Sequence, residues 1–257
     1  MNSLNFLQVK HIKQEFKMAL SKDEQKKLAA STAVDRLIED GIIFSGMKIG
    51  LGTGSTAMPA VTRLAERIKD GTLKGIKAVA TSFQTQLACE SYGISVYTLN
   101  DKAIEGHLDA AIDGADEIDD ERNLIKGGGA AHLREKIVEY NASFLAIVAD
   151  ESKAVHSLGT KFPLPVEIIA EARVPVIKQI EALGAKCVLR EGVKKAGPVI
   201  TDNGNMILDC TWQTPVNPAE MEAKINSITG VVECGFFTKN KPAVFIAHAD
   251  GTVEERR

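Results

Sequence analysis

Short apolar segments, each followed by a polar or glycine-rich turn and a helical pattern, recur through the first part of the chain. Segments 47–51, 76–80, 108–112 and 144–149 have strand length and end at hydroxyl, acidic or glycine residues. Such units pack as a parallel sheet with helices on both faces. The predicted fold is therefore α/β, with a doubly wound, mostly parallel, Rossmann-like sheet. Because ligands bind outside the carboxyl ends of such strands, the polar residues there predict the functional site.

The pattern changes after residue 160, where the order strand-helix-strand-strand-helix-strand predicts a second, smaller ferredoxin-like α+β domain. The turn Asp202-Asn203-Gly204-Asn205 fits the hairpin between its middle strands. A last strand, 243–247, should return to the first sheet. We expect a catalytic domain of residues 18–160 plus 238–257, a second domain of 161–237, and an N-terminal extension of 1–17, with Met18 as an alternative start. The elements predicted in the second domain are strand 166–169, helix 174–183, strands 186–190 and 206–210, helix 218–228 and strand 231–236.

Composition excludes several classes of function. The formal net charge is −3 and no basic block occurs, which argues against nucleic acid and membrane surfaces as partners. The four cysteines are scattered without a C-x-x-C pair, and the five histidines lack metal-ligand spacing. No segment has the length and apolarity of a membrane span, and the N-terminus lacks the apolar core of a signal peptide. We expect a cytoplasmic protein with reduced cysteines and no metal site.

A glycine-rich turn, GLGTGST (50–56), follows the first strand and precedes a helical stretch at 60–68. This arrangement presents N–H groups and hydroxyls to a phosphate. The lysine of a P-loop is missing, and Ser55 stands at the last glycine position of the dinucleotide fingerprint. The hydroxyls of Ser55 and Thr56 suit a small phosphomonoester better than a nucleotide.

The acidic stretch DGADEIDDE (113–121) begins where the third strand ends. Asp113 and Asp116 adjoin a buried-type strand and a glycine turn, so we expect them at the ligand site. Acid clusters are usually solvated, and we expect Asp119, Asp120 and Glu121 to lie on the surface.

Lys126 and three glycines, Gly127 to Gly129, precede the next predicted helix. Residues without a Cβ let backbone N–H groups close on an anionic oxygen. Glu135 should lie about two turns into the helix, where Arg134 and Lys136 would favour its ionised form. A carboxylate base beside a lysine and N–H donors suits proton abstraction next to a carbonyl, with stabilisation of the resulting enediolate. That chemistry requires no cofactor.

With these residues, the chain resembles the type A ribose-5-phosphate isomerase family over nearly all of residues 18–257. The motifs that carry the resemblance are GLGTGST (50–56), TSFQT (81–85), DGADEID (113–119), KGGGAAHLREK (126–136), ADESK (149–153) and KFPLPVE (161–167). Their number and order make the signal highly specific.

The resemblance implies interconversion of D-ribose 5-phosphate and D-ribulose 5-phosphate by a homodimer or homotetramer. It implies that Glu135 moves a proton between C2 and C1, that Asp113 assists ring opening with Asp116 beside it, and that Lys126 stabilises the enediolate. The implied substrate and phosphate contacts are Lys26, Thr53, Gly54, Ser55, Thr56, Gly114, Ala115, Gly127, Gly128, Gly129 and Lys153.

Three other functions remain open from the residues. A sugar-phosphate sensor would bind without turnover, although no helix-turn-helix segment is evident. An acyl-CoA transferase would use a glutamate as nucleophile and could be trapped as an acyl-enzyme. A metal-dependent isomerase would use the acids of DGADE as ligands and would lose activity in chelator.

Overall fold

The computed structural model describes residues 19–257 and confirms the α/β fold with a smaller antiparallel part. The predicted N-terminal extension 1–17 and the alternative start at Met18 lie outside the described residues. The helices are α1 (Lys22–Glu39), α2 (Gly54–Lys69), α3 (Phe83–Ser91), α4 (His132–Tyr140), α5 (Arg173–Ala182) and α6 (Pro218–Asn226). The strands are β1 (Lys48–Leu51), β2 (Lys77–Ala80), β3 (Ser95–Tyr97), β4 (Ala110–Gly114), β5 (Glu117–Ile118), β6 (Leu124–Ile125), β7 (Leu145–Asp150), β8 (Leu164–Ile168), β9 (Lys186–Leu189), β10 (Met206–Thr211), β11 (Val231–Cys234), β12 (Phe236–Phe237), β13 (Ala243–Ala247) and β14 (Val253–Arg256).

The large sheet has the strand order β14-β13-β7-β4-β1-β2-β3. Its strands are parallel except β14, an edge strand that pairs antiparallel with β13 and was not predicted. The chain moves from β1 through β2 to β3 on one side, and from β4 through β7 to β13 on the other. The order therefore reverses between β1 and β4, and a doubly wound sheet binds its ligand at that point. The predicted return of segment 243–247 to this sheet is confirmed.

Helix α1 covers the large sheet and brings its first turn to the carboxyl ends of the strands. It begins with a capping box, in which the Ser21 side chain accepts from Glu24 N–H and Glu24 accepts from Ser21 N–H. Its apolar face, which includes Ala33 and Leu37, is completely buried in the core under the sheet. This packing fixes the position of Lys26 on the first turn.

The small sheet has the antiparallel order β11-β8-β10-β9, with α5 and α6 contributing to its core. The order along the chain is the predicted ferredoxin-like one. The turn at 202–205 lies between β9 and β10, closed by a hydrogen bond from Thr201 N–H to Asn205 C=O. The limits of the two predicted domains stay a prediction.

A three-stranded sheet, β12-β6-β5, was not predicted because each strand has only two residues. The predicted strand 231–236 is accordingly split, and its end pairs with β6.

The expectation that Asp119 lies on the surface was wrong, because Asp119 is part of the turn between β5 and β6. Asp119 is buried, and it accepts hydrogen bonds from the backbone of Glu121 and from the backbone and side chain of Asn123. It therefore closes the turn before Lys126.

Two helix positions also differ from the prediction. Helix α2 begins at Gly54 and not near residue 60, because Pro59 is accommodated inside it. Helix α4 begins at His132, so Glu135 lies in the first turn and not two turns along. Within residues 19–257, none of the helices combines the length and apolar character needed to cross a membrane.

Candidate active site

A pocket of about 200 Å³ opens at the carboxyl ends of β1 and β4, where the strand order reverses. Its lining contains all fifteen residues that the sequence placed at the site. They are Lys26, Thr53, Gly54, Ser55, Thr56, Asp113, Gly114, Ala115, Asp116, Lys126, Gly127, Gly128, Gly129, Glu135 and Lys153. The structure therefore brings together residues from the first helix, three strand ends and the glycine loop.

One end of the pocket is the N-terminus of α2. Thr53 caps the helix with extended backbone, and Gly54 adopts a φ of +84°, a conformation that favours glycine. The first N–H groups of a helix lack intrahelical partners and, with the helix dipole, favour an anion. Lys26 approaches the same turn, with its Nζ 3.3 Å from Ser55 Oγ. Lys153 enters the pocket from the turn after β7. This end has the donors and cations needed to bind a phosphate.

The Thr53 hydroxyl lies in a cluster of hydroxyl groups. Its Oγ1 is 2.6 Å from Thr81 Oγ1 and 2.8 Å from Ser82 Oγ, which belong to the turn after β2. Thr85 Oγ1 links this cluster to β1 by donating to Gly52 C=O. The cluster ties the two turns together, so the Thr53 side chain supports the glycine-rich turn.

Asp113 is held at the end of β4 by two backbone donors. The N–H groups of Thr53 and Gly114 donate to Oδ1 at 3.2 and 2.7 Å. Gly52 makes room for this carboxylate, because an added Cβ at residue 52 would lie 1.9 Å from Asp113 Oδ1. The glycine of the first turn is thus a requirement of close packing between β1 and β4.

Lys126 lies at the base of the pocket among four oxygen atoms. Its Nζ is 2.6 Å from Gly114 C=O, 2.9 Å from Asp113 Oδ2, 3.1 Å from Glu139 Oε1 and 3.4 Å from Glu135 Oε2. Its side chain is only 2% exposed. Burial lowers the pKa of Lys126, but the charges of Asp113, Glu135 and Glu139 outweigh it and raise that pKa well above its ordinary value. The side chain is therefore a fixed cation.

Glu135 is buried, and burial raises its pKa to about 8 against the opposing effect of Lys126. The charges of Asp113 and Asp116 add to the increase. The expectation that Arg134 and Lys136 favour ionisation was wrong, because both side chains lie elsewhere.

The partners of these two cations are in the second half of the chain. Arg134 contacts Asp202 and Asn203 in the β9–β10 turn. Lys136 donates to Glu222 and Glu233, and also to backbone carbonyls at the end of the small sheet. Lys126 is therefore the cation nearest to Glu135 in this part of the site.

Glu139 belongs to the same cluster and was missed by sequence reasoning. Both of its carboxyl oxygens are buried without a hydrogen-bonding partner, although Lys126 is close. Burial raises the pKa of Glu139 well above its ordinary range, and the charges of Asp113 and Glu135 add to the increase. Its position four residues after Glu135, on the same helix face, was the available signal. Burial therefore favours the protonated form of Glu139.

The glycine loop is built around Asp116. Gly128 N–H donates to Asp116 Oδ2 at 2.7 Å, and a Cβ at residue 128 would lie 2.6 Å from Asp116 Oδ1. Gly127 has a φ of +106°, and a Cβ there would meet the ring of His132. Gly129 has open space around its Cβ direction. The loop can approach a ligand closely because these positions carry no side chain.

The acids of the cluster surround a lysine. Among residues 19–257, no group of three or more His, Cys, Asp or Glu side chains has an arrangement that could hold a metal ion. All four cysteines are free.

Comparison with known proteins gives a consistent family. The model of the family "Ribose 5-phosphate isomerase A (phosphoriboisomerase A)" matches residues 77–251. The ribose-5-phosphate isomerase A of Treponema denticola is 58% identical over 232 residues, which cover 90% of this chain and 97% of that relative.

Solved structures agree with the sequence comparison. The ribose 5-phosphate isomerase A of Methanocaldococcus jannaschii has a TM-score of 0.83 and 41% identity, covering 92% of this chain and 100% of that one. A D-ribose-5-phosphate isomerase in complex with phospho-erythronic acid has a TM-score of 0.85 and 39% identity, with the same coverage of both chains. The chain therefore belongs to the ribose 5-phosphate isomerase A family.

Proposed function

We propose that this protein interconverts D-ribose 5-phosphate and D-ribulose 5-phosphate through an enediolate, as a step of the non-oxidative pentose phosphate pathway. The observation that carries the proposal is the buried pair Glu135 and Lys126, with 3.4 Å between Oε2 and Nζ, at the base of a pocket whose other end suits a phosphate. Family membership supports the same reaction. So does the relative whose structure contains phospho-erythronic acid, a small phosphorylated acid.

The substrate phosphate would bind at the N-terminus of α2. The free N–H groups and the hydroxyls of Ser55 and Thr56 supply donors, and Lys26 and Lys153 supply positive charge. Binding there would place the sugar across the pocket, with C1 and C2 near the buried cluster. The phosphate thus orients the reacting carbons without taking part in the chemistry.

Asp113 would assist opening of the sugar ring. Opening moves a proton from the C1 hydroxyl to the ring oxygen, and Asp113 lies beside the fixed cation Lys126. Its Oδ1 accepts two backbone N–H groups, so Oδ2 is the atom directed to Lys126 and the cluster. Asp116 accepts from Gly128 N–H and keeps the glycine loop in place.

Glu135 would then remove the proton from C2 of the open aldehyde. The electron pair of that C–H bond forms the C1–C2 double bond, and negative charge develops on O1. Lys126 and the loop N–H groups would stabilise this charge. The C2 hydroxyl proton moves to O1, and Glu135 returns its proton to C1, which leaves the ketone at C2. A carboxyl with a pKa of about 8 can both accept and return a proton near neutral pH.

The test is ribulose 5-phosphate formation by the wild type and by Glu135→Gln, each with and without a chelator. The variant removes the proton acceptor and keeps the shape, so we expect kcat to fall by about a hundredfold to ten-thousandfold. The matched control is Glu90→Gln, an exposed glutamate on α3. It should keep wild-type activity.

Each competing function has its own outcome in this experiment. Binding of ribose 5-phosphate without turnover by the wild type would indicate a sensor. Full loss of wild-type activity in chelator would indicate a metal-dependent reaction. A trapped acyl ester on Glu135 after incubation with an acyl-CoA would indicate a transferase.

We also propose a homodimer or homotetramer in the cytoplasm. The family resemblance supports assembly, and so does the apolar character of the edge of the small sheet formed by β9. Val188 on that strand is 53% exposed, and Val193 in the following loop is 91% exposed. Free cysteines are typical of a reducing compartment. Light scattering of the purified protein measures the assembly directly.

A further inference from the structure

The small sheet contributes a side chain that reaches the glycine loop from outside the pocket. Arg190 directly follows β9, and its Nη1 donates to Gly127 C=O at 2.8 Å and to Gly128 C=O at 3.1 Å. Arg190 is not part of the pocket lining, whereas both glycines are. The guanidinium therefore holds the loop from its rear.

Arg190 is itself held in one orientation. Its Nε and Nη2 donate to the two carboxylate oxygens of Asp209 on β10, at 2.9 and 2.5 Å. The two residues are diagonal neighbours across β9 and β10, because Arg190 N–H pairs with Ile207 and Asp209 pairs with Val188. The Arg190 side chain is 14% exposed. A bidentate pair on paired strands fixes the direction of the remaining guanidinium nitrogen.

The orientation of the loop carbonyls determines the orientation of the N–H groups. In a planar trans peptide the N–H points away from the preceding C=O. Holding Gly127 C=O toward Arg190 turns Gly128 N–H the other way, where it donates to Asp116. Holding Gly128 C=O toward Arg190 likewise turns Gly129 N–H away from Arg190. The two contacts of Arg190 thus help to orient Gly128 N–H toward Asp116 and to orient the Gly129 N–H.

Two further bonds hold the flanks of the loop. Lys126 N–H donates to Gly235 C=O at 2.9 Å, and His132 Nε2 lies 3.2 Å from Glu233 C=O. Neither bond controls the peptide planes at residues 127 and 128. The Gly127–Gly128 peptide is held jointly by Arg190, by Ala130 N–H, which donates to Gly127 C=O at 2.9 Å, and by Asp116. Arg190 also donates to Gly128 C=O, which belongs to the peptide that carries Gly129 N–H.

We propose that Arg190, oriented by Asp209, is a positioning residue for the reaction and holds the glycine-loop N–H groups in the geometry that stabilises the enediolate. The inference rests on the proposed isomerase function and assigns the small sheet a part in it. If Arg190 only connected the small sheet to the glycine loop, its replacement would lower the free energy of unfolding without a specific effect on kcat. A positioning residue affects the transition state more than substrate binding.

The test compares Arg190→Met, Arg190→Lys and Asp209→Asn with the wild type. The control is Arg173→Met, which changes an exposed arginine at the start of α5. We expect Arg190→Met to lower kcat by about tenfold to a hundredfold, because small displacements of catalytic donors cost that much. KM should stay within about twofold, since the phosphate site is untouched. Arg190→Lys should recover only part of kcat, because lysine cannot make the bidentate contact.

Hydrogen exchange of the peptide 124–136 gives a readout that does not depend on activity. It should rise in Arg190→Met and stay unchanged in Arg173→Met. If Arg190→Met fails to fold, Arg190→Lys and Asp209→Asn, which keep a cation at the loop, decide the question by the same kcat and exchange measurements.

Two outcomes overturn the proposal separately. An active wild type together with unchanged kcat in the Arg190 and Asp209 variants refutes the positioning role and leaves the isomerase function intact. A wild type without turnover of ribose 5-phosphate refutes the proposed function, and the inference falls with it.

Discussion

Raising the pH from 7 to 9 should increase kcat/KM for ribose 5-phosphate about tenfold, because the proposed base must lose its proton before it can act. Burial raises the pKa of Glu135 to about 8, opposed by Lys126 and assisted by the charges of Asp113 and Asp116. At that pKa the ionised fraction is about one tenth at pH 7 and about nine tenths at pH 9. The rise should follow a single ionisation.

The assay is the initial rate at substrate concentrations far below KM, since kcat/KM reports groups of the free enzyme. A phosphate monoester has its second pKa near about 6, so its titration is nearly complete before the predicted rise. Asp116→Asn removes a negative charge near Glu135, and we expect it to move the rise to lower pH. Asp120→Asn, an exposed acid of the same stretch, should leave the midpoint where it is.

An ascending limb centred near the ordinary pKa of a glutamate, about 4.3, would refute this reasoning. It would mean that Lys126 outweighs burial in the free enzyme. A midpoint near 8 that does not respond to Asp116→Asn would assign the titration to another group.

Two further predictions concern residues around the base. Relative to the wild type, Glu139→Gln should be more stabilising at pH 9 than at pH 6. Because the pKa of Glu139 is raised in the folded state, its contribution to the free energy of unfolding is present below the unfolded pKa and is lost as the pH rises through the folded pKa, whereas glutamine does not ionise. Thermal melting at both pH values measures this, and an equal difference at the two would contradict it. Gly128→Ala should lower kcat about tenfold or more by pushing against Asp116, and an unchanged initial rate at saturating substrate would contradict this.

Most of the fold followed from local patterns because each βα unit is a local structure. The strand ends of β1, β4 and β7 carry polar residues, and parallel strands place those ends at one edge of the sheet. The positions of Ser55, Asp113 and Lys153 could therefore be grouped without knowledge of any tertiary contact. Two-residue strands such as β5 have too few residues to show a periodic pattern.

The interactions that were missed depend on burial or on distant pairing. Glu139 resembles an ordinary helical surface acid in sequence, yet it is buried against Lys126. Lys136 looked like a partner for Glu135, but acids from the second half of the chain bind it. Arg190 lies more than sixty residues from the loop it contacts, in a segment without a recognisable motif. The contact of Arg190 appears only when the small sheet packs against the glycine loop.

The chemistry of the site depends on the burial of its charged groups. A glutamate in water would be ionised near pH 7 and would return a proton poorly. Burial in the cluster brings the pKa of Glu135 close to neutral, and burial likewise favours the protonated form of Glu139 beside it. Lys126 keeps the ionised form accessible and remains in place for the charge that develops on the substrate. The desolvation that makes Glu135 costly to ionise is thus what suits it to move a proton in both directions.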